Sequence, residues 1–127
     1  MRFTLNEEAK EEFNCIFCPT EGRTGLGLVG LATGGNSGYQ AVNLAFLLGA
    51  KKIYLLGFDM GAKKIDHNHF FGNHKGFDLT NPNGSLYADW RRKFNEMIPL
   101  LQRRNIEVIN LSRTTTLSAP RASIDEL

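Results

Sequence analysis

A glycine-rich turn, Gly34-Gly35-Asn36-Ser37-Gly38, stands directly before an apolar segment of helical length. Glycines let a ligand come close to the backbone, and the free N–H groups of a helix's first turn favour an anion. Asn36 and Ser37 add side-chain donors, and either can serve as the helix N-cap. The turn therefore predicts an anion or phosphate site at Gly35, Asn36, Ser37 and Gly38. An ordinary glycine turn with a helix cap is the alternative.

Asp59 directly follows a continuous apolar run at 53–58. Such a run is typical of a parallel strand that is buried on both faces. Ligands of open α/β sheets bind outside the carboxyl ends of the strands. Asp59 is therefore predicted to contact a ribose hydroxyl, a metal or an amine, unless it only caps the turn at Met60-Gly61.

A second polar group, Asn110, Ser112 and Arg113, follows or ends the last apolar run at 106–111. If both runs are parallel strands, this group lies at the same sheet edge as Asp59. A guanidinium group can pair with a phosphate through two parallel hydrogen bonds. Arg113 is therefore predicted to bind the ligand, with an exposed arginine in a tail as the alternative.

All three histidines fall in one polar, glycine-rich stretch, IDHNHFFGNHKG, that also contains Asp66. Histidine titrates near neutral pH, so His69, and after it His74, are the candidate catalytic residues for general acid/base work. Asp66, His67 and the other histidines are also compatible with a metal. A solvated loop is the third interpretation.

Cys15 and Cys18 form a lone C-x-x-C motif. Zinc would need a second ligand pair, such as His69 and His74, and redox chemistry would need the motif to open a helix. Side chains three apart on a strand point to opposite faces, so the predicted strand at 13–18 favours structural thiols.

Length and composition limit the classes of protein. The 127 residues are 42% hydrophobic and 22% charged, which is typical of a single folded domain over 1–127. A net charge of +2 is too small to require a nucleic acid polymer or a membrane surface. The N-terminus is acidic and lacks an apolar signal core, so a cytoplasmic protein is expected. No cofactor is expected.

Alternation of apolar segments predicts an α/β fold with helices packed on a parallel sheet. The helix from Gly38 to Leu48, ended by Gly49, is apolar almost all round and is predicted to be buried on nearly every face. Because so small a domain has few layers that could bury this helix, we expect a homodimer or larger assembly.

The other predicted elements are strands at 2–5 and 13–18, a helical turn at 7–12, an extended segment at 26–31, a loop at 60–85, a helix at 86–104 capped by Ser85, and a short helix near Ser123. The basic runs at 91–93 and 103–104 are expected on the solvated face of the second helix.

The stretch from Gly34 to Gly61, with HFFGNHKG at 69–76 and EVINLSRTTTL at 107–117, resembles a family of uncharacterised bacteriophage proteins. More distantly, it is similar to the Rossmann-like fold of bacterial sialyltransferases and pterin-diphosphokinase-like proteins. The matching residues are Ser37-Gly38, Gly49, Ile53-Tyr54-Leu55, Gly57 and Asp59, with His69 downstream.

This resemblance implies a small Rossmann-like parallel sheet with flanking helices, truncated relative to the transferases. It implies nucleotide contacts at Asn36, Ser37 and Gly38, and His69 as a base. By class-level analogy, a phage protein of this kind would bind and sequester a nucleotide-derived small molecule, such as a host immune signal. The alternative is a minimal glycosyltransferase-like or nucleotide-hydrolysing enzyme that uses His69 or His74.

Overall fold

A computed structural model describes residues 1–61 and 82–126 of the chain. The described elements mix helices with short strands, which confirms the α/β class in its general form. In chain order they are β1 (Phe3–Thr4), α1 (Glu7–Glu12), β2 (Ile16–Phe17), α2 (Ser37–Leu47), β3 (Lys52–Leu55), α3 (Gly84–Gln102), β4 (Glu107–Asn110) and a short 3-10 helix (Ile124–Glu126).

The strands form two separate parallel pairs, β1 with β2 and β3 with β4. In the second pair Lys52 lies opposite Glu107 and Leu55 lies opposite Asn110. A parallel bridge between Asn110 and Arg121 brings the chain after β4 alongside it. Parallel pairing of the two apolar strands was the central expectation from the sequence, and it is confirmed.

The β3–β4 sheet is buried on one face, not two. Ile53, Leu55 and Val108 belong to a core cluster that also contains side chains of α2 and α3. The alternate side chains of the same stretch point away from that cluster, and Tyr54 and Leu56 are 44% and 67% exposed. The prediction of a strand covered on both faces is therefore wrong for the part of the chain that the structure describes.

Helix α2 has the predicted ends but not the predicted burial. Asn36 is the N-cap, because its Oδ1 accepts a hydrogen bond from the Tyr39 N–H at 2.8 Å. Gly49, just after the C-cap, has a φ of 85°, a left-handed conformation that glycine adopts without strain. Tyr39, Val42 and Asn43 are buried, whereas Ala41 is exposed. The helix is therefore half-buried, which corrects the expectation of burial on nearly every face.

The segment at 26–31 is a folded loop and not the extended segment that its apolar residues predict. The Glu21 Oε2 atom accepts hydrogen bonds from three successive N–H groups, those of Leu28 and Val29 at 2.8 Å and Gly30 at 3.0 Å. Only Leu31 of this segment forms a β-bridge, with Thr20, among the described residues. The Glu21 carboxylate stabilises the folded loop, because it accepts from backbone N–H groups that would otherwise pair with a neighbouring strand.

Helix α3 begins two residues earlier than expected. Asn83 is its N-cap and accepts from the Leu86 N–H at 2.9 Å, while Ser85 only donates its hydroxyl to the Asn83 side chain. Pro99 is inside the helix, which continues to Gln102. Arg92 is exposed as predicted, but its neighbour Lys93 is buried, which corrects the assignment of the whole basic run to solvent.

Candidate functional site

The loops after β3 and β4 are joined by hydrogen bonds at the carboxyl edge of their sheet. The Phe58 N–H donates to Ser112 Oγ at 2.8 Å. The Phe58 carbonyl accepts from Asn110 Nδ2 at 3.2 Å and from Thr115 Oγ1 at 2.8 Å. Asn110 and Ser112 are themselves buried. They therefore lie at the predicted edge, where they hold the two loops together.

Asp59 is fixed at this edge through its backbone. Its carbonyl oxygen accepts from the Thr116 N–H at 3.1 Å and from Thr116 Oγ1 at 3.4 Å. The next residue, Met60, has a φ of 52° and turns the chain away from the strand direction. These bonds engage the backbone of Asp59 and not its carboxylate.

A cleft of about 1150 Å³ opens beside these loops and brings Asp59 and Arg113 together. Arg121 also lines the cleft, and its Nη2 donates to the Arg113 carbonyl at 2.6 Å. Apolar side chains complete the walls, contributed by Leu56, Leu111 and Ile124. The sequence does not predict this place for Arg121, which the bridge between Asn110 and Arg121 brings to the sheet edge.

The cleft carries charges of both signs. The Arg113 and Arg121 side chains can supply donors to an anionic group, and Asp59, Asp125 and Glu126 bring carboxylates to the same lining. Glu126 Oε2 already accepts from the Ser123 N–H at 2.7 Å, which holds the short 3-10 helix in place. The arrangement suits a molecule that has both an acidic group and hydroxyl or amino groups.

The glycine turn before α2 is tightly packed. Gly34 has a φ of 59°, and a Cβ there would lie 2.1 Å from the Tyr39 ring, so only glycine fits. A Cβ on Gly38 would lie 3.0 Å from Phe58 Cε1. Gly38 thus lets α2 approach the residue that precedes Asp59. Gly35, Asn36, Ser37 and Gly38 are not among the described residues that line the cleft.

Two further residues beside this turn come from α3 and were missed from the sequence. Lys93 Nζ donates to the Gly34 carbonyl at 3.1 Å, and Trp90 Nε1 lies on the same side of Gly35. The sequence does contain a signal that Lys93 is buried, because Lys93 follows Trp90 by three positions and precedes Met97 by four. That spacing places the lysine on the apolar stripe of the helix, where a charged residue is buried only with partners.

The predicted catalytic residues His69 and His74 lie outside the described residues, as do Asp66 and His67. Their assignment as base, metal ligand or solvated loop therefore stays a prediction.

Cys15 and Cys18 are both free thiols of intermediate burial, on either side of β2. Within residues 1–61 and 82–126, no group of three or more histidine, cysteine or acidic side chains could hold a metal ion. Zinc binding by these cysteines would have to involve partners from outside those ranges.

Comparison with known proteins provides no relative on which to base a function, since no protein family, curated protein or solved structure matches the chain. Among the described helices, none has the length and apolar character that crossing a membrane requires.

Proposed function

We propose that this protein binds a nucleotide-derived small molecule at the carboxyl edge of the β3–β4 sheet. The cleft that combines Arg113, Arg121 and Asp59 is the observation that carries the proposal. Parallel sheets with helical crossovers receive ligands at this edge, because the loops there project beyond the ends of the strands. The finer expectation of a truncated Rossmann-like arrangement, with the ligand at this edge, belongs to the same proposal.

Each part of such a ligand has a partner in the proposed site. Arg113 and Arg121 bind a phosphate group, for which planar guanidinium donors are well suited. Asp59 accepts hydrogen bonds from ribose hydroxyls, as carboxylates at strand ends do in dinucleotide-binding folds. Gly35, Asn36, Ser37 and Gly38 contribute from the start of α2, whose packing against Phe58 places it next to the strand that leads to Asp59.

The proposed biological role is sequestration in the cytoplasm, in which the ligand is held and not converted. The role extends the phage resemblance and depends on tight binding without turnover. It is distinguished from the enzymatic alternative by the fate of the ligand, which either returns unchanged from the protein or leaves as a product.

Isothermal titration calorimetry with cytidine monophosphate, ADP and a cyclic dinucleotide tests the proposal. We expect saturable binding of at least one of these, and weaker binding by Arg113→Gln by about tenfold or more, the value of one charge-assisted contact. Arg103→Gln removes the same charge from an exposed position at the end of α3 and should bind as the unaltered protein does.

Mass spectrometry of the nucleotide after the protein is denatured then separates the two roles. Recovery of the intact nucleotide supports sequestration, whereas a new product supports an enzyme. Absence of saturable binding for all three nucleotides, or equal affinity in Arg113→Gln, would contradict the proposed site.

A further inference from the structure

We propose that Lys93 and Trp90 of α3, together with Asn36, form a phosphate-binding site over Gly35. The inference deepens the proposed function, on which it rests, by assigning the phosphate contacts at the glycine turn to side chains of a different helix. It is carried by three observations, namely two buried donors that lack a partner among the described residues, two donor nitrogens beside the Cβ position of Gly35, and a buried ammonium group.

Two buried N–H groups lack a hydrogen-bond partner in the part of the chain that the structure describes, Asn36 Nδ2 and Trp90 Nε1. The orientation of the Asn36 amide is set by the cap, because its Oδ1 accepts from the Tyr39 N–H at 2.8 Å. Its Nδ2 is therefore a donor, as the indole N–H of Trp90 must be. Buried donors are almost always paired in folded proteins. One of these two belongs to the residue after Gly35 and the other lies beside Gly35, so together they indicate an acceptor that binds there.

Gly35 provides the open side of the site. It is exposed, and its φ of 78° belongs to the left-handed region. Along the direction in which a side chain would leave its α-carbon, the position of a Cβ lies 3.6 Å from Lys93 Nζ and 3.7 Å from Trp90 Nε1. Both donors therefore flank the side of Gly35 on which a side chain is absent, and an oxygen atom held there would lie next to them. A glycine is needed there because any side chain would occupy the same direction.

The Lys93 ammonium group is buried but not saturated. Two of its three donors are used, by the Gly34 carbonyl at 3.1 Å and by Asp89 Oδ2 at 2.6 Å. No described residue accepts from the third donor, which we assign to the ligand. Asp89 also accepts from Arg92 at 2.9 Å, and Arg92 pairs with Glu96 at 2.7 Å, so this surface network contains two charges of each sign.

Preference for an anion therefore has to come from the local arrangement and not from excess positive charge. The first turn of α2 contains no acidic residue, and its N-terminal dipole favours negative charge next to Gly35. The donors come from two elements, α3 and the start of α2. A tetrahedral phosphate presents oxygens in several directions and can accept from all of them.

The chain has a single tryptophan, so one indole N–H resonance in a ¹H–¹⁵N spectrum reports on the site directly. We expect inorganic phosphate, titrated at constant ionic strength with sodium chloride, to shift this resonance saturably. Lys93→Gln should weaken that binding by about tenfold or more, whereas the exposed Arg103→Gln should leave it unchanged. Acetate should shift the resonance much less.

Trp90→Phe provides a second test that does not depend on how Lys93→Gln folds. It removes the donor but keeps an aromatic ring, and calorimetry with inorganic phosphate should show the loss of affinity. An indole resonance that does not respond to phosphate, or responds equally to acetate, would overturn the site.

The outcomes also separate this inference from the proposed function. Binding of a nucleotide by calorimetry with an unaffected indole resonance would overturn this site and leave the Arg113 cleft standing. A phosphate-dependent shift without nucleotide binding would support this site and contradict the proposed function.

Discussion

Asn43 and Gly27 form a reciprocal pair of hydrogen bonds between helix α2 and the loop before it. The Gly27 N–H donates to Asn43 Oδ1 at 2.9 Å, and Asn43 Nδ2 donates back to the Gly27 carbonyl at 3.0 Å. The same Oδ1 accepts from the Ala32 N–H at 2.8 Å. Tyr39, whose pKa is raised by burial to about 12, adds a bond from its hydroxyl to the Gly25 carbonyl. These bonds hold the loop that leads into the glycine turn.

Replacement of Asn43 by leucine should be strongly destabilising. The substitution leaves two backbone N–H groups and one carbonyl without partners in a fully buried place, and each such group costs about 1–3 kcal/mol. We expect Asn43→Leu to lower the free energy of unfolding by about 3 kcal/mol or more, measured by urea denaturation. Gln40→Leu on the same helix is the control, and a similar small loss in both variants would show that the Asn43 bonds contribute little.

Stability should depend on pH through Glu21. Its three hydrogen bonds from backbone N–H groups, those of Val29 and Gly30 first, favour the charged carboxylate and lower its pKa from the ordinary value of 4.5. In the unfolded chain the pKa returns to that value. The contribution of Glu21 to stability is therefore fully present above about pH 4.5 and is lost as the pH falls through the lower pKa of the folded protein.

Glu21→Gln tests this dependence through thermal unfolding at several pH values. The melting temperature of the variant should be lower than that of the unaltered protein at neutral pH, and the gap should close as the pH falls below 4.5. Glu11→Gln, an exposed change of the same kind, should show no such gap. A gap for Glu21→Gln that stays constant over the acidic range would assign its effect to something other than the charge.

The two catalytic candidates remain testable by substitution. If His69 contacts the ligand, His69→Ala should weaken nucleotide binding by about 1–3 kcal/mol, with a smaller effect for His74→Ala. If the protein is an enzyme, the loss should be larger in turnover than in affinity, since a base acts in the transition state. Measurements above and below pH 6.5, near the ordinary pKa of histidine, complete the test. Unchanged binding in both variants at every pH would leave a solvated loop as the correct interpretation.

Self-association is expected from the exposed apolar surface. The uncovered face of β3 presents Tyr54, and Leu48 at the end of α2 is also exposed. Pairing of such surfaces between two copies removes them from water. We expect a homodimer or larger assembly by light scattering at micromolar concentration, and its dissociation in Tyr54→Arg. Thr24→Arg, at an exposed polar position in a loop, should not dissociate it. A monomer at every concentration would refute the expectation.

The sequence was most informative where the pattern is local. The ends of α2 followed from Asn36 and Gly49, because capping depends on residues adjacent in the chain. The apolar runs of β3 and β4 were found, but not the exposed face, since periodicity does not reveal what covers a strand. The loop at 26–31 could not be predicted, because its shape depends on Glu21, a partner several residues away.

The same limit applies to the candidate site. Asp59 and Arg113 were placed together correctly, since parallel strands put their carboxyl ends at one edge. Arg121 was missed because a single bridge after β4 brings it there. The neighbours Arg91 and Arg92 predict a solvated Lys93, although its place on the apolar stripe of α3 indicates burial. The helical face on which a charged residue lies therefore predicts its burial better than the charges of its neighbours do.

The bond between the Phe58 N–H and Ser112 Oγ joins residues 54 positions apart in the chain. Contacts over such distances form slowly in folding, because a long loop must close before they contribute. The edge that holds Asp59 and Arg113 thus takes shape only once α3 has crossed back and β4 has paired with β3. If a nucleotide binds at this edge as proposed, it binds only the completed fold, and it should raise the melting temperature of the whole protein by mass action.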